Sequence, residues 1–455
     1  MLRSFIPSAD DARSLLRLAI PIAGAQVGLM LMGVVDVVFV GHLSGRELAA
    51  AALGNLVFFG LFSFGMGTVW AVDPIVSQAI GAREHDTASL GIQRGLVLAL
   101  VLGAGMSLLC LPAGWVYRAL HQPPEVVPRA AAFVLVAAPS MPCALLFVAL
   151  RQSLQAMKKT RAIVSCMVVG NVVNAGLDWI LVFGHWGAPA MGAVGSSLAS
   201  TIARYIMLGT LLLLARHELR PMLSPWRRVA LAPTPLLRML RLGLPIGTQN
   251  LVEYSTFAAI SVFAGWIGAD VLAGHLVAIN LASLTFMVPM GFGSAAAVLV
   301  GRSIGERDFA HARRVAGSAL LCGAGFMALC ACALLAFPGA FARAYTSIPG
   351  VIAVSASLIP IAGVFQVFDG LQVVAAGVLR GAGDTRAALV ANVLGFWLVG
   401  MPVSLLLGFR AGLGVVGLWW GFVAGLAAMA VFLVARVRSH LSREVARVSV
   451  EGEPA

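Results

Sequence analysis

Twelve apolar segments, near residues 16–40, 48–80, 89–112, 126–150, 161–184, 190–215, 237–264, 270–300, 314–337, 350–378, 387–408 and 414–435, alternate with loops that carry most of the charge. Each can cross a bilayer, for which about 20 apolar residues suffice. Hydrocarbon offers no partner to an unpaired amide, so segments of this kind must be helices. A soluble globule is excluded: only 11% of the 455 residues are charged, against about 25% in soluble domains. The expected fold class is all-α and integral to the membrane, with 12 transmembrane helices.

Charge placement sets the expected orientation. Of the 31 Lys and Arg, 25 fall at the N-terminus, in alternate loops or at the C-terminus. The opposite loops hold five (Arg46, Arg118, Arg129, Arg343 and Arg410), and Arg204 lies within a span. Loops rich in Lys and Arg stay cytoplasmic, which puts both termini there. The net charge of +12 therefore reads as topology, not as nucleic-acid binding. All six cysteines (Cys110, Cys143, Cys166, Cys322, Cys330 and Cys332) lie in apolar segments without CxxC spacing, so they read as small core residues, not as a disulfide or zinc framework. The opening "MLRSFIPSADDARSLLRL" lacks a small-residue cleavage site, so the first span is expected to be retained.

A repeat organises the chain. "LRLAIPIAG" at 16–24 returns as "LRLGLPIGT" at 240–248, and "AIGARE" returns as "SIGERD". Pro21 and Pro245, Leu48 and Leu272, and Gly81 and Gly305 are all 224 residues apart. "KTRAIV" and "GAVG" recur as "DTRAAL" and "GVVG" at offsets of 225 and 222. Two six-helix halves follow, and because six is even they share one orientation, related by an axis along the membrane normal. The expected division is an N-terminal lobe over 1–215, a linker over 216–235, a C-terminal lobe over 236–436 and a cytoplasmic tail over 437–455, with a cleft between the pseudo-symmetric bundles.

Five acidic residues fall within or near spans: Asp36, Asp73, Asp178, Glu253 and Asp369. A charge at mid-membrane costs about 2.5–3.5 kcal/mol on translocon scales, so each is a functional candidate facing a cavity or a partner. Asn171, Asn174 and Asp178 share one helix face at i, i+3 and i+7, and Ser196 and Ser200 share another at i, i+4. With Asp36 they form a potential oxygen-rich pocket. Two carboxylates held close in low dielectric cannot readily both stay ionised, so such a pair takes up a proton, or its oxygens ligate Na⁺. Gln249, Glu253 and Thr256 line one face of span seven, and Asp369 and Gln372 one face of span ten. The repeat pairs Asp36 with Ile260 and Glu253 with Leu29, so the fold itself requires neither acid. Asp73, next to Pro74, reads as a cap on a helical turn. Arg204 is expected to snorkel or pair locally.

Prolines lie within spans at 21, 139, 142, 245, 289, 360 and 402, where a freed carbonyl lets a helix kink. Pro21 is about four turns before Asp36 and is the candidate hinge. The 17 methionines suit a cavity that accepts varied molecules.

The chain resembles the multidrug and toxic compound extrusion (MATE) family, particularly its NorM-like members. The residues that carry the likeness are "DVVFVGHLS", "QAIGARE", "NVVNAGLDWILVFG", "GAVGSSLAS" and "DGLQVVAAGVLRGAGDTR", spread over nearly the whole chain. The resemblance implies a secondary transporter that exports cationic amphipathic small molecules in antiport with H⁺ or Na⁺, by alternating access. It implies an ion-coupling site at Asp36, Asn174, Asp178 and Ser200, where the family often has threonine at the last position, with Na⁺ ligation at Asp36, Asn174 and Asp178. It also implies an ion or substrate site in the second half at Glu253 and Asp369, beside Gln249 and Phe365. Phe365 offers no oxygen to Na⁺ but can stack on a cation. Membrane lipid is the expected surrounding, a monomer the expected state, and no cofactor is expected beyond the coupling ion.

Enzyme signals fail on context. "GAGD" at 381–384 lies in a basic loop, and "GLGVVG" at 412–417 has no strand before it. The remaining alternatives are a flippase for lipid-linked saccharide, disfavoured because the mid-membrane charges are mainly acidic, and an intramembrane enzyme.

Overall fold

The computed structural model describes residues 5 and 8–450, and among them every regular element is helical. Helix α1 (Ala9–Gly41) starts at a capping box in which the Ser8 hydroxyl accepts from the Asp11 amide and Asp11 accepts from the Ser8 amide. It runs through Pro21 unbroken. Then follow α2 (Gly45–Val69) with its continuation α3 (Val72–Gly81), α4 (His85–Cys110), the short α5 (Ala113–Ala119), α6 (Val127–Ala137), α7 (Ser140–Ala156), α8 (Arg161–Phe183) and α9 (Ala193–Leu214). The second half comprises α11 (Pro233–Ile267), α12 (Ala269–Gly305), α13 (Phe309–Ala336), the short α14 (Pro338–Tyr345), α15 (Pro349–Gly381), α16 (Thr385–Asn392), α17 (Met401–Leu405) and α18 (Gly414–Leu441). Between the halves lies α10 (Arg216–Leu223), so the linker is partly helical.

Ten of the described spans are long and apolar enough to cross a membrane, and α6 with α7, bent by 48° near Pro139, makes an eleventh. The twelfth is α11, long enough at 35 residues but diluted by Gln249, Asn250, Glu253 and Tyr254. The span around Pro402 is wound partly as π-helix, over Val393–Gly400 and Leu406–Arg410. A wider turn accommodates a residue that cannot donate to the helical ladder.

The two halves exchange the leading turns of their first helices, while the later turns stay with their own halves. Leu15 and Ile22 of α1 are buried in the core of the C-terminal half, while their repeat partners Met239 and Ile246 of α11 are buried in the core of the N-terminal half. Small residues permit this. A β-carbon built on Gly67 would lie 2.8 Å from Cα of Gly247, and one on its repeat partner Gly291 would lie 2.7 Å from Cβ of Ala23. Farther along, a β-carbon on Gly81 would strike the Arg302 carbonyl, and one on Gly305 would strike the Gln78 carbonyl. These crossings lie from mid-span to the end of the bundle that carries the basic loops. The halves are therefore closed against each other at the basic end.

The segment after α18 is not a free tail as far as Val450. Arg447 grips Glu84 with two bonds of 2.7 and 2.8 Å, the Val448 amide donates to Gln78, and the Val450 carbonyl accepts from Arg238. Val450 is buried in the core of the N-terminal half. The segment thus straps the second half onto the first. The Arg447 hydrogen bonds and charge hold the Glu84 carboxyl below its ordinary range. A depressed carboxylate stabilises the folded state above its unfolded pKa and loses that contribution as pH falls through the folded value. The melting-temperature gap between the native protein and Arg447→Met should therefore hold above the ordinary carboxylate range, about pH 5, and close as the pH falls below it. It should be small, because the pair is partly exposed and screened by solvent.

Candidate functional site

Asp36, Asn174, Asp178 and Ser200 come together in the N-terminal half. The periodicity of α8 turns Asn174 and Asp178 inward to complete burial, and α9 presents Ser200 beside them. Asn174 Nδ2 donates to Asp36 Oδ1 at 3.0 Å, and Ser200 Oγ donates to Asp36 Oδ2 at 2.6 Å. Asp36 is thus held by both neighbours while remaining half-buried. Asp178 differs. Asp36 and Ser196 lie close enough to act on it, yet neither carboxyl oxygen has a donor in good hydrogen-bond geometry, and Oδ1 of Asn174 is equally without one. Asn171, on the same face, donates instead to the Gly28 carbonyl of α1 and serves as a tie between helices.

Three buried oxygens without donors are costly in low dielectric. A bound proton or cation would offset that cost. Arg204, four residues after Ser200, supplies one cation whose charge reaches Asp36. It pairs locally, donating to Ser140 and lying 4.6 Å over the ring of Phe58. With both carboxylates ionised and Arg204 charged, these three groups carry one net negative charge, which one monovalent cation cancels. Carboxylate, amide and hydroxyl oxygens suit H⁺ or Na⁺ equally by chemistry. No group of three or more His, Cys, Asp or Glu able to hold a metal occurs among the described residues.

In the C-terminal half, Glu253, Asp369, Gln249 and Phe365 all border one cavity of about 350 Å³ between α2, α11, α12, α15 and α16. Asn392 donates to Glu253 at 3.4 Å and Gln372 to Asp369 at 3.2 Å. The remaining wall is apolar and adaptable, with Phe59, Phe286, Met66, Met287 and Met290. Phe365 is 1% exposed, its ring packed edge-on against Phe257 and Phe422. It is a wall of the cavity whose own faces are already covered by aromatic neighbours.

Asp73 is not a cap. The residue before α3 is Ala71, which makes no side-chain cap bond, and Asp73 lies within the helix at 1% exposure. Its Oδ2 accepts from Gln152 at 3.0 Å and lies 3.3 Å from Nε of Arg380 in the opposite half. Sequence reasoning missed this pair because Arg151 and Arg380, at the ends of their spans, count as loop charges by position. The one available signal was Asp73 itself, an acid in an otherwise apolar run.

Two six-helix bundles, with carboxylates buried in one and lining a cavity in the other, have the architecture of a membrane transporter. Comparison with known proteins gives the particular family. The MatE family model matches residues 21–180 and 245–406, two segments that start 224 residues apart. The chain is 32% identical to multidrug resistance protein NorM of Photobacterium profundum, over 94% of this chain and 95% of the relative. It is 34% identical to a probable multidrug resistance protein NorM of Bradyrhizobium diazoefficiens, over 96% and 95%. The crystal structure of the eukaryotic MATE transporter AtDTX14 superimposes with a TM-score of 0.87 at 21% identity, covering 94% of this chain and 96% of that one. The chain belongs to the MatE family.

Proposed function

We propose that the protein is a multidrug efflux transporter that exports cationic amphipathic molecules in antiport with H⁺ or Na⁺, working as a monomer in a bacterial inner membrane with its basic end cytoplasmic. The observation that carries this reading is the buried set of donor-free oxygens at Asp178 and Asn174, beside an Asp36 that is already held. Such a set binds and releases a monovalent cation, and it is separate from the cavity at Glu253 and Asp369 that would take the drug. The names of the relatives support the substrate class.

The lobes span 1–215 and 236–436, joined by 216–235. Closure at the basic end supports reading this conformation as outward-facing. Ion uptake at Asp36, Asn174, Asp178 and Ser200 repacks α1, with Pro21 as its hinge, and lowers affinity for the drug bound near Gln249, Glu253, Phe365 and Asp369. Linkage then requires the drug to lower affinity for the ion by the same factor. Ethidium export from cells expressing the protein should stop when ionophores collapse the H⁺ and Na⁺ gradients while ATP is maintained. Export that survives the collapse would refute the reading.

A further inference from the structure

The mechanism above leaves one buried ionic cluster unused. Asp73 of α3, 1% exposed, feels the charge of two guanidinium groups. Arg151 belongs to its own half, on α7, and its charge acts on Asp73 while it donates to Gln26 at 2.7 Å. Arg380 belongs to the opposite half, on α15, and pairs with Asp73 at 3.3 Å while its guanidinium lies 4.5 Å over the ring of Trp70. The cluster sits in the layer where the halves close. One turn along α3, a β-carbon on Gly301 would strike Ser77, and Gln78 donates to the Gly381 carbonyl at 3.0 Å. Arg380 also borders the cavity, so the cluster lies between the cavity and the basic end.

We propose that the Asp73–Arg380 pair is the latch that holds the basic side shut, and that Arg151 keeps Asp73 neutralised when the latch opens. The proposal rests on the alternating-access reading. A carboxylate that lost its only cation in low dielectric would oppose separation of the halves, since breaking a buried pair is strongly unfavourable. A second cation within the same half removes that obstacle, so the pair can hold one state without forbidding the other. The repeat partner of Asp73 is Ala297, so the fold does not demand an acid at this place. These three groups hold one more cation than anion, and the closed layer thereby also repels a protonated amine trying to return.

The test uses Ser77→Cys, which places a thiol in the closed layer, and a membrane-impermeant thiol reagent applied from the basic side of inside-out vesicles. In the otherwise native protein this thiol should react slowly. Asp73→Asn and Arg380→Met should each raise its rate about ten-fold by shifting the population towards the open state. Arg380→Lys, which keeps the charge, should stay within about two-fold of the parent. Native Cys166, buried inside the first half, reports on unfolding, and it should stay protected in every variant. Unchanged Ser77→Cys reactivity in both Asp73→Asn and Arg380→Met would overturn the latch. So would equal exposure in Arg380→Lys and Arg380→Met, which would assign the effect to packing on Trp70, or exposure of Cys166 together with Ser77→Cys. Ethidium export by the parent in the same vesicles tests the transport reading separately.

Discussion

Replacing Asp36 by Asn is expected to cut ethidium export by about two orders of magnitude, the upper end of a coupling free energy of 1–3 kcal/mol. The amide keeps the shape of the carboxylate, and its one carbonyl oxygen still accepts from a neighbouring donor, Asn174 or Ser200. What it loses is the charge. An Asn at 36 removes the negative charge that makes a cation welcome among Asp178, Asn174 and Ser200, and leaves Arg204 without that counter-charge. Efflux in cells measures the effect, and a melting temperature within a few degrees of the parent shows that the fold is intact. Ethidium binding to the purified variant should persist, because the cavity at Glu253 and Asp369 is untouched. Export at parental rates would show that Asp36 does not couple ion to drug.

The second large effect belongs to the closing layer. Gly81→Leu should abolish export to background while leaving ethidium binding within about two-fold. The β-carbon at this position falls on the Arg302 carbonyl of the other half. Backbone cannot swing aside as a side chain can, and forcing extra atoms into a packed core costs typically 1–3 kcal/mol. The expense is confined to the state in which the basic ends touch, so the transporter would be held open there. Gly305→Leu, the repeat-related position against Gln78, should behave alike, whereas Gly105→Ala and Gly325→Ala, with nothing within 4 Å, should export normally. A dose of Gly81→Leu protein that exports as well as the parent would mean that the close crossing is not needed for the cycle.

Much of this architecture was legible in the sequence because membrane helices are written in composition and the halves in a repeat. The spacing of Asn174 and Asp178, and of Ser196 and Ser200, located the facing surfaces of two helices, and the family resemblance joined them to Asp36. Other features were hidden for physical reasons. A 3.6-residue period gives the face of a helix but not its partner, so the exchange that buries Leu15 and Ile22 in the opposite core had no linear signature. Asn171 shares its face with Asn174 and Asp178 yet spends its donor on the Gly28 carbonyl. Asp73 looked like a cap because sequence shows its neighbour Pro74 and not Arg380, more than 300 residues away. The C-terminal strap was unreadable too, since its anchors are a partly exposed ion pair and two backbone groups that any sequence supplies.

The central claim is that an ion gradient, and nothing else in this chain, drives drug uphill. Purified protein in proteoliposomes, given ethidium and then a pH gradient alone, a Na⁺ gradient alone, or neither, tests it most directly. The account predicts concentrative ethidium movement under at least one of the two gradients, none when both are absent, and loss of that movement in Asp36→Asn. Concentrative movement without any imposed gradient, or equal movement by Asp36→Asn, would contradict it.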